Sequence, residues 1–277
     1  MVVVVPEEPA SENPDNQIDT SVAHPARRYN YWLGGKDHFA ADRESGDRIA
    51  AAWPSVRTAA RENRGFLKRA VTYLAGTAGL DQFLDIGTGL PTADNTHEVA
   101  QALVPRTRVV YVDNDPMVMM HARALMTSAP EGATTYIEGD LREPEKILAH
   151  PDLTGTLDLS RPIALMLVAV LHFIPAQQDA VRIVRRLVSA LPPGSHLTVT
   201  NATKDVLSRE TAAVYDAMLN SGRTDVWPRS RDEFAALVAG LELVEPGIVP
   251  VSEWRPTATT RPDPADVAVY GAVARVP

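Results

Sequence analysis

From Asp81 onward the chain alternates short apolar runs with segments of helical spacing, and this alternation restricts the fold more than any other feature. The pattern is typical of strands that are joined by right-handed helical crossovers and therefore lie parallel in one sheet. The intervening helices are expected to begin near Asn95, Pro116, Glu143 and Pro175. The five predicted strands are QFLDI (82–86), RVVYVD (108–113), TTYIE (134–138), IALMLVAVL (163–171) and HLTVTN (196–201).

The last part of the chain contains the patterns that predict the remaining strands of this sheet. SRDEFAALVAGLELV (230–244) has the pattern of a helix that runs into a strand, and VAVYGAVARV (267–276) alternates as a last edge strand would. Residues 204–220 predict a helical insertion, and residues 245–266, rich in proline and threonine, predict a long ordered loop. The sequence therefore predicts an α/β fold with a doubly wound, mostly parallel sheet.

The residues that precede the sheet predict helices. Two short helices are expected on either side of a hinge at Gly34 and Gly35. Ser55 suits the N-cap of a longer helix that ends at Gly76 and carries an apolar stripe at helical spacing, formed by Phe66, Leu67, Ala70, Val71 and Leu74. We expect a disordered tail at residues 1–17, followed by a single domain with a helical N-terminal cap (18–76) and a Rossmann-like core (77–277).

The composition argues against several classes of protein. The 277 residues include no cysteine, which leaves no disulfide framework and fits a reducing cytoplasm. A net charge of -8 argues against general affinity for nucleic acid or anionic membranes. The longest apolar run (163–171) is far shorter than the roughly 20 residues of a membrane span, and the opening MVVVVPEEPA lacks the basic segment of a secretion signal. We therefore expect a cytoplasmic protein that binds neither nucleic acid nor membrane.

The turn after the first predicted strand, in QFLDIGTGLP (82–91), indicates the ligand. A doubly wound sheet binds its ligand beyond the carboxyl ends of the strands, next to this turn. Gly87 and Gly89 would let a ligand touch the backbone, although a merely tight turn explains them almost as well. Asp85 is more informative, because a carboxylate repels the phosphates of a dinucleotide but attracts an ammonium group. S-adenosylmethionine, a nucleoside joined to a cationic amino acid, fits this turn.

Acidic residues also follow the next two predicted strands. Asp113, 28 residues after Asp85, can accept both ribose hydroxyl protons, a contact that also fits NAD. Asp140, with the backbone amide of Leu141, can bind the edge of adenine. Asp115 competes for the ribose, but it is better placed to cap the next helix. A single acid usually solvates a loop or caps a helix, whereas three at successive strand ends indicate a nucleoside site.

These motifs resemble those of class I S-adenosylmethionine-dependent methyltransferases over residues 81–201: LDIGTG, VVYVDNDPMV, EGDLRE, VLHFIP and LPPGSHLTVTN. TSVAHPARRYNYWLGGKDHF and ARENRGFLKRAV further resemble the N-terminal signature of a methyltransferase family long described only as a domain of unknown function. The resemblance implies seven strands with an antiparallel last strand and a cap over S-adenosylmethionine, with S-adenosylhomocysteine as product. It implies no particular acceptor.

The first motif departs from the family pattern, because Pro91 stands where a third glycine is usual, so contacts with the following helix cannot follow the common arrangement. The predicted cofactor contacts are Asp85, Gly87, Thr88, Gly89, Asp113, Asn114, Asp140, Leu141 and Ala169.

Methyl transfer from a sulfonium needs positioning and desolvation more than a protein nucleophile. A base is required only when the acceptor carries a proton at attack, and His172, after the fourth strand, is the candidate catalytic residue. The alternative is a histidine packed at a strand-to-helix turn. His24 and His38 are weaker candidates.

The acceptor site is expected between the cap and the late loops. Most of the cap residues predicted to cover the cofactor are aromatic, and aromatic residues in a helix often serve only as core. Their placement over the cofactor is therefore a hypothesis about the cap as a whole. Asn63 and Arg64 are predicted to reach the carboxylate of the methionine moiety. The remaining predicted residues are Tyr29, Tyr31, Trp32 and Lys36 over the cofactor, and Trp254 and Arg255 in the pocket.

Three functions remain open at this point. The leading one is a methyltransferase for an unidentified small-molecule acceptor. An NAD-dependent oxidoreductase would share Asp113, but the chain lacks a GxGxxG turn and a suitably placed Tyr-x-x-x-Lys pair. The third is a non-catalytic S-adenosylmethionine-binding protein. No metal is expected, since the methionines of MVMMHARALM (117–126) are typical of helical core, and the oligomeric state is not predicted.

Overall fold

The computed structural model describes residues 18–125 and 127–277, and the predicted tail at 1–17 lies outside them. Strands and helices alternate as expected from Asp81 onward. The strands are β1 Gln82–Ile86, β2 Arg108–Asp113, β3 Ala133–Glu138, β4 Ala164–Leu167, β5 His196–Ala202, β6 Glu242–Leu243, β7 Val249–Pro250 and β8 Val269–Arg275. The helices are α1 Pro25–Trp32, α2 Ala40–Ala52, α3 Val56–Gly76, α4 Thr96–Leu103, α5 Pro116–Leu125, α6 Pro144–Leu148, α7 Pro151–Thr156, α8 Gln177–Val188, α9 Arg209–Asn220, α10 Arg231–Leu237 and α11 Pro264–Val267.

The strands form one sheet in the order β3-β2-β1-β4-β5-β8-β6, and β7 also pairs with β8. Strands β1 to β5 are parallel, whereas β8 runs antiparallel to β5 and to the short strands β6 and β7. This confirms the doubly wound, mostly parallel sheet with an antiparallel last strand. The strand order reverses between β1 and β4, which opens a crevice at their carboxyl ends.

Both faces of the sheet are buried, which is why the strands appear as continuous apolar runs. Phe83 of β1 packs against α3 on one face, and Leu84 packs with the residues of α8 on the other. The predicted stripe of α3 is confirmed: none of its five apolar residues is more than 4% exposed. Helix α3 therefore packs on the sheet next to the crevice, and the preceding α1 and α2 contact α3 there.

Several predicted boundaries differ from the structure. The strand predicted at 163–171 is only β4, because the backbone turns at Ala169 with a φ of 57°. The predicted sixth strand is only β6, and the predicted loop at 245–266 contains β7 and α11, which gives eight strands instead of seven. Helix α8 begins after Pro175, at Gln177.

Ser55 precedes α3, but its side chain makes no capping hydrogen bond to that helix. It donates instead to the carboxylate of Asp266. In the described ranges, no helix combines the length and apolar character that crossing a membrane requires.

Candidate active site

A cavity of about 510 Å³ lies at the carboxyl ends of the central strands. The turns after β1, β2 and β3 form one side of it, and α1, α2 and α3 cover it. The segments that follow β4 and β5 line the rest. The volume falls in the range of small-molecule sites, about 300–1,000 Å³. The cavity thus occupies the crevice that the strand order creates.

Asp85, at the end of β1, points a buried carboxylate toward this cavity. Thr96 Oγ1 donates to its Oδ2 at 2.6 Å, and no described residue donates to Oδ1. Burial raises the pKa of Asp85 to about 6, against the opposing effect of the Thr96 hydrogen bond. The following turn keeps Gly87 and Gly89 at positive φ, and both line the cavity together with Thr88. The turn therefore presents a carboxylate and exposed backbone to a ligand.

Asp113, at the end of β2, is anchored by two backbone amides. Gly89 N donates to its Oδ2 at 2.8 Å and Asp115 N donates to its Oδ1 at 3.0 Å, so each oxygen retains a free lone pair. Burial raises the pKa of Asp113. Asp115 is used differently, because its Oδ1 accepts from Met117 N at the start of α5 and its Oδ2 lies 2.9 Å from His24 Nδ1. Of the two acids only Asp113 lines the cavity.

Asp140 follows β3 and is tied to Arg142 by several hydrogen bonds, including one from Arg142 Nε at 2.9 Å. The Arg142 side chain lowers the pKa of Asp140. Both residues line the cavity, as do Asn114 and Leu141. The backbone N–H of Leu141 donates to no described residue. This strand end thus combines an ionised carboxylate with an available backbone donor.

Asn63 of α3 carries an unpaired buried acceptor beside the cavity. Its Nδ2 donates to the hydroxyl of Tyr29 at 3.1 Å, and that hydroxyl donates to Ala60 O at 2.9 Å. Asn63 Oδ1 is sealed from solvent without a partner in the described structure. Arg64 also lines the cavity and donates to Ala93 O at 3.0 Å. A buried acceptor without a donor is costly, and a ligand that supplied a donor to it after a rotation of the Asn63 side chain would remove this cost.

The chain has relatives in sequence and in fold. It matches the model of the S-adenosyl methyltransferase family over residues 11–277. The chain belongs to this family. The protein is therefore an S-adenosylmethionine-dependent methyltransferase, as the motifs indicated.

Two solved structures are similar to the methyltransferase over nearly its whole length. A DUF574 family protein from Streptomyces avermitilis MA-4680 is 46% identical, with a TM-score of 0.88, over 94% of this chain and 100% of its own. A candidate methyltransferase from Thermobifida fusca YX is 40% identical, with a TM-score of 0.85, over 96% of this chain and 99% of its own. A search of curated proteins gives no match.

Part of the cavity lining of the methyltransferase comes from outside the turns after β1 to β3, and we call this part the acceptor end. Its polar residues are His172, Arg28, Asp225, Tyr215 and Thr224. Its apolar and aromatic lining comes from the cap, from the turn after β4 and from the segments around α9: Trp32, Ile49, Trp53, Val56, Phe173, Leu207 and Val226.

His172 lies in a short 3-10 turn after β4, beside the turn made by Ala169. Ala169 also lines the cavity, and its N–H donates to Thr200 Oγ1 at 2.8 Å. His172 Nδ1 is buried without a partner among the described residues, and burial lowers the pKa of the ring to about 4. The imidazole is consequently neutral near pH 7.

Some predicted residues lie away from the cavity. Tyr31 packs against α2, where its hydroxyl donates to Asp47 Oδ1 at 2.7 Å. Lys36 is exposed on the following turn. The pocket role predicted for Trp254 and Arg255 does not match their positions: Trp254 is fully buried against Phe66 and Tyr73, and Arg255 lies over the Tyr73 ring. His38 contacts Tyr31 and lies outside the cavity lining.

Sequence reasoning missed site residues that are joined across long stretches of chain, and it also missed one local pair. Arg28 pairs with Asp225, 197 positions later, and Tyr215 comes from the insertion. Arg142 lies in the EGDLRE motif, and its pairing with Asp140 is a contact that the sequence analysis does not predict. No local pattern signals the first pair. The adjacency of Arg142 to Asp140 was a usable signal for the second.

Proposed function

We propose that the methyltransferase transfers a methyl group to a small-molecule acceptor, with S-adenosylmethionine along the carboxyl ends of β1 to β3 and the acceptor at the acceptor end. The observation that carries this proposal is the convergence of Asp85, Asp113 and Asp140 on one cavity. Each acid follows a different parallel strand, and each suits a different part of the cofactor.

The amino acid part of the cofactor fits beside Asp85 and Asn63. Asp85 Oδ1 has no donor in the described structure, as an ammonium group requires, and Asn63 Oδ1 is a second acceptor without a donor that would reach this group by rotation of its side chain. Arg64 lines the same region and offers a guanidinium to a carboxylate. The fit accounts for an otherwise unexplained polar atom, that of Asn63.

The nucleoside part fits beside Asp113 and Asp140. The free lone pairs on both oxygens of Asp113 suit two adjacent ribose hydroxyls. Asp140 and the N–H of Leu141 suit the amino group and a ring nitrogen of adenine, with Arg142 holding the carboxylate in its charged form. Asn114, which follows Asp113 in the sequence, also lines the cavity.

When bound, S-adenosylmethionine supplies an electrophilic methyl group on a sulfonium. The chain contributes binding, orientation and exclusion of water, which are the main requirements of such a displacement. The cap helices cover the cavity and the aromatic residues of the acceptor end keep it apolar. We propose that neutral His172 orients the nucleophilic atom of the acceptor by a hydrogen bond. Its lowered pKa makes it a weaker base than the reaction of a hydroxyl would favour.

The two alternative functions are less well supported by this site. A dinucleotide would place its pyrophosphate at the turn after β1, where Asp85 supplies a carboxylate in place of helix amides. A protein that only bound the cofactor would need no space beyond it. The continuation of the cavity into the acceptor end supports transfer.

Calorimetric titration with S-adenosylmethionine, S-adenosylhomocysteine and NAD tests the proposal without an acceptor. We expect dissociation constants in the micromolar range for the first two and no heat of binding for NAD. Binding of NAD alone would overturn the assignment of the turn after β1. The absence of any binding would remove the proposed function.

A further inference from the structure

The acceptor end is built from aromatic and aliphatic side chains that come from four separate parts of the chain. Trp32 and Trp53 come from the cap, Phe173 from the turn after β4, Tyr215 from α9 and Val226 from the segment after it. Such a lining favours a ligand with a flat apolar body, because burying apolar area is the main source of affinity in such pockets.

The charges at the acceptor end cancel each other. Arg28 is only 4% exposed, and its guanidinium pairs with Asp225 and lies 5.7 Å from the centre of the Trp32 ring. Among the described lining residues, these two are the charged side chains of the acceptor end. A buried guanidinium needs such a partner, since an unpaired buried charge is strongly unfavourable. The pocket therefore presents no net charge to its ligand.

Most polar atoms of the acceptor end are already bonded within the protein. The Tyr215 hydroxyl donates to Val226 O at 2.8 Å, and Thr224 Oγ1 accepts from Val226 N at 3.2 Å. His172 differs, because neither ring nitrogen is bonded to a described residue and only Nδ1 is sealed from solvent. Nε2 is thus the ring nitrogen that a ligand can reach.

We propose, resting on the function proposed above, that the acceptor is an uncharged molecule with a flat apolar body and one hydrogen-bonding group that contacts His172. Asp225 enforces this preference by neutralising Arg28. A carboxylate on the acceptor would compete with Asp225 for the guanidinium, and a cationic group would compete with Arg28 for Asp225.

The environment of Arg28 also indicates how the preference for an uncharged acceptor can be reversed. Its Nε is buried without a partner in the described structure, and Asp225 is 44% exposed at the rim. Removing the charge of Asp225 would leave a buried, unpaired guanidinium facing the acceptor end. Such a group would bind a carboxylate, which supplies the missing charge and hydrogen bonds.

The test uses 2-naphthol and 2-naphthoate as probes, titrated by fluorescence into protein saturated with S-adenosylhomocysteine. The wild-type protein should bind 2-naphthol at least about tenfold more tightly than 2-naphthoate. Asp225→Asn should bind 2-naphthoate at least about tenfold more tightly than the wild type does, while 2-naphthol affinity changes little. His172→Ala should weaken 2-naphthol binding several-fold with unchanged affinity for S-adenosylhomocysteine.

Glu210→Gln is the matched control, because Glu210 is an exposed acid in the first turn of α9 and lies outside the cavity. It removes one negative charge and should change neither probe affinity. Asp225→Ala removes the same charge as Asp225→Asn by a different side chain and must give the same reversal.

Two results would overturn the proposal: a wild-type preference for 2-naphthoate, or an unchanged preference in both Asp225 variants. Failure of 2-naphthol to bind a protein that binds S-adenosylhomocysteine would also overturn it, and would leave the proposed function intact. Failure to bind S-adenosylhomocysteine would instead remove the proposed function.

Discussion

Asp85 is a charged residue in a position where the protein covers nearly all of its surface. It is 4% exposed, and burial raises its pKa from an ordinary value of 3.8 to about 6. The folded protein therefore binds a proton at Asp85 more tightly than the unfolded chain does. Asp85 destabilises the fold as the pH rises from about 4 to about 6, and the full penalty is present at pH 7.

Asp85→Asn should consequently stabilise the protein. The amide oxygen can still accept from Thr96, and the buried charge is gone. We expect the free energy of unfolding at pH 7 to increase by about 2 kcal/mol, which corresponds to roughly 5 °C in the unfolding temperature. The gain should shrink as the pH falls toward 4. Calorimetric unfolding of both proteins at pH 7 and pH 4.5 measures this, and an equal gain at the two pH values would contradict the assigned cause.

The same carboxylate should make cofactor affinity depend on pH. Protonation of Asp85 below about pH 6 removes the charge that attracts the ammonium group. We expect S-adenosylhomocysteine to bind about tenfold more weakly at pH 5 than at pH 7. In Asp85→Asn the affinity should be low at both pH values. A similar pH dependence in that variant would assign the effect to another group.

Asp113 should matter for binding much more than its neighbour on the next strand. Asp113→Ala removes charge-assisted hydrogen bonds and should weaken S-adenosylhomocysteine binding by about 2 kcal/mol, or about 30-fold. Glu138, its cross-strand partner on β3, is exposed and lies outside the cavity. Glu138→Ala is the control and should bind normally in the same calorimetric titration. Equal affinities in the two folded variants would refute the ribose assignment.

At the scale of elements, the turn after β1 has two glycines with different structural roles. A side chain at Gly87 would place its Cβ 2.4 Å from Val170 Cγ2, whereas one at Gly89 would meet nothing within 4 Å. Both have positive φ, 77° and 68°. Gly87 is therefore required by packing, and Gly89 keeps space open beside the ligand.

Alanine substitutions should separate the packing role of Gly87 from the ligand-binding role of Gly89. Gly87→Ala combines a clash with backbone strain and should lower the free energy of unfolding by about 3 kcal/mol. Gly89→Ala should lower it by only about 1 kcal/mol but weaken S-adenosylhomocysteine binding at least about tenfold. Denaturant unfolding and calorimetry on both variants test this. Equal stability losses with normal binding in Gly89→Ala would show that Gly89 is also a packing residue.

The elements predicted from sequence were those whose pattern and burial agree. The α3 stripe and the β1 and β2 runs could be predicted because their apolar residues are also the buried ones. The run at 163–171 was misleading, because Val168 and Val170 are apolar although the chain has already left β4 there. Tyr31 could have been excluded by helical phase, since it lies two positions from Tyr29, which faces the cavity. The pairing of Arg28 with Asp225 has no local pattern at all.

At the scale of the whole molecule, the cavity joins parts that are far apart in the chain. Helix α1 lines it on one side, and the segment after α9 lines it on another. A ligand that contacts both should hold them together. S-adenosylhomocysteine, along the turns after β1 to β3 and under α1, should stabilise the protein by about 2.7 kcal/mol at 100 times its dissociation constant.

Hydrogen exchange should show where this stabilisation acts. We expect slower exchange in α1 and in the turns after β1 to β3 when S-adenosylhomocysteine is bound. The segment 221–227, which lines only the acceptor end, should respond less until a probe such as 2-naphthol is added. Protection confined to the strand turns would show that the cap does not close over the cofactor.

The shortness of β6 and β7 also affects how the protein meets copies of itself. A long free strand at the edge of a sheet offers a row of amides and carbonyls to which a neighbouring chain can add. Here the outer side of β8 is covered by two segments of two residues each, with Val244 N bonded to Val273 O between them. The margin beside β8 therefore offers no long uncovered strand in the described structure, which protects that edge of the sheet against the addition of another chain.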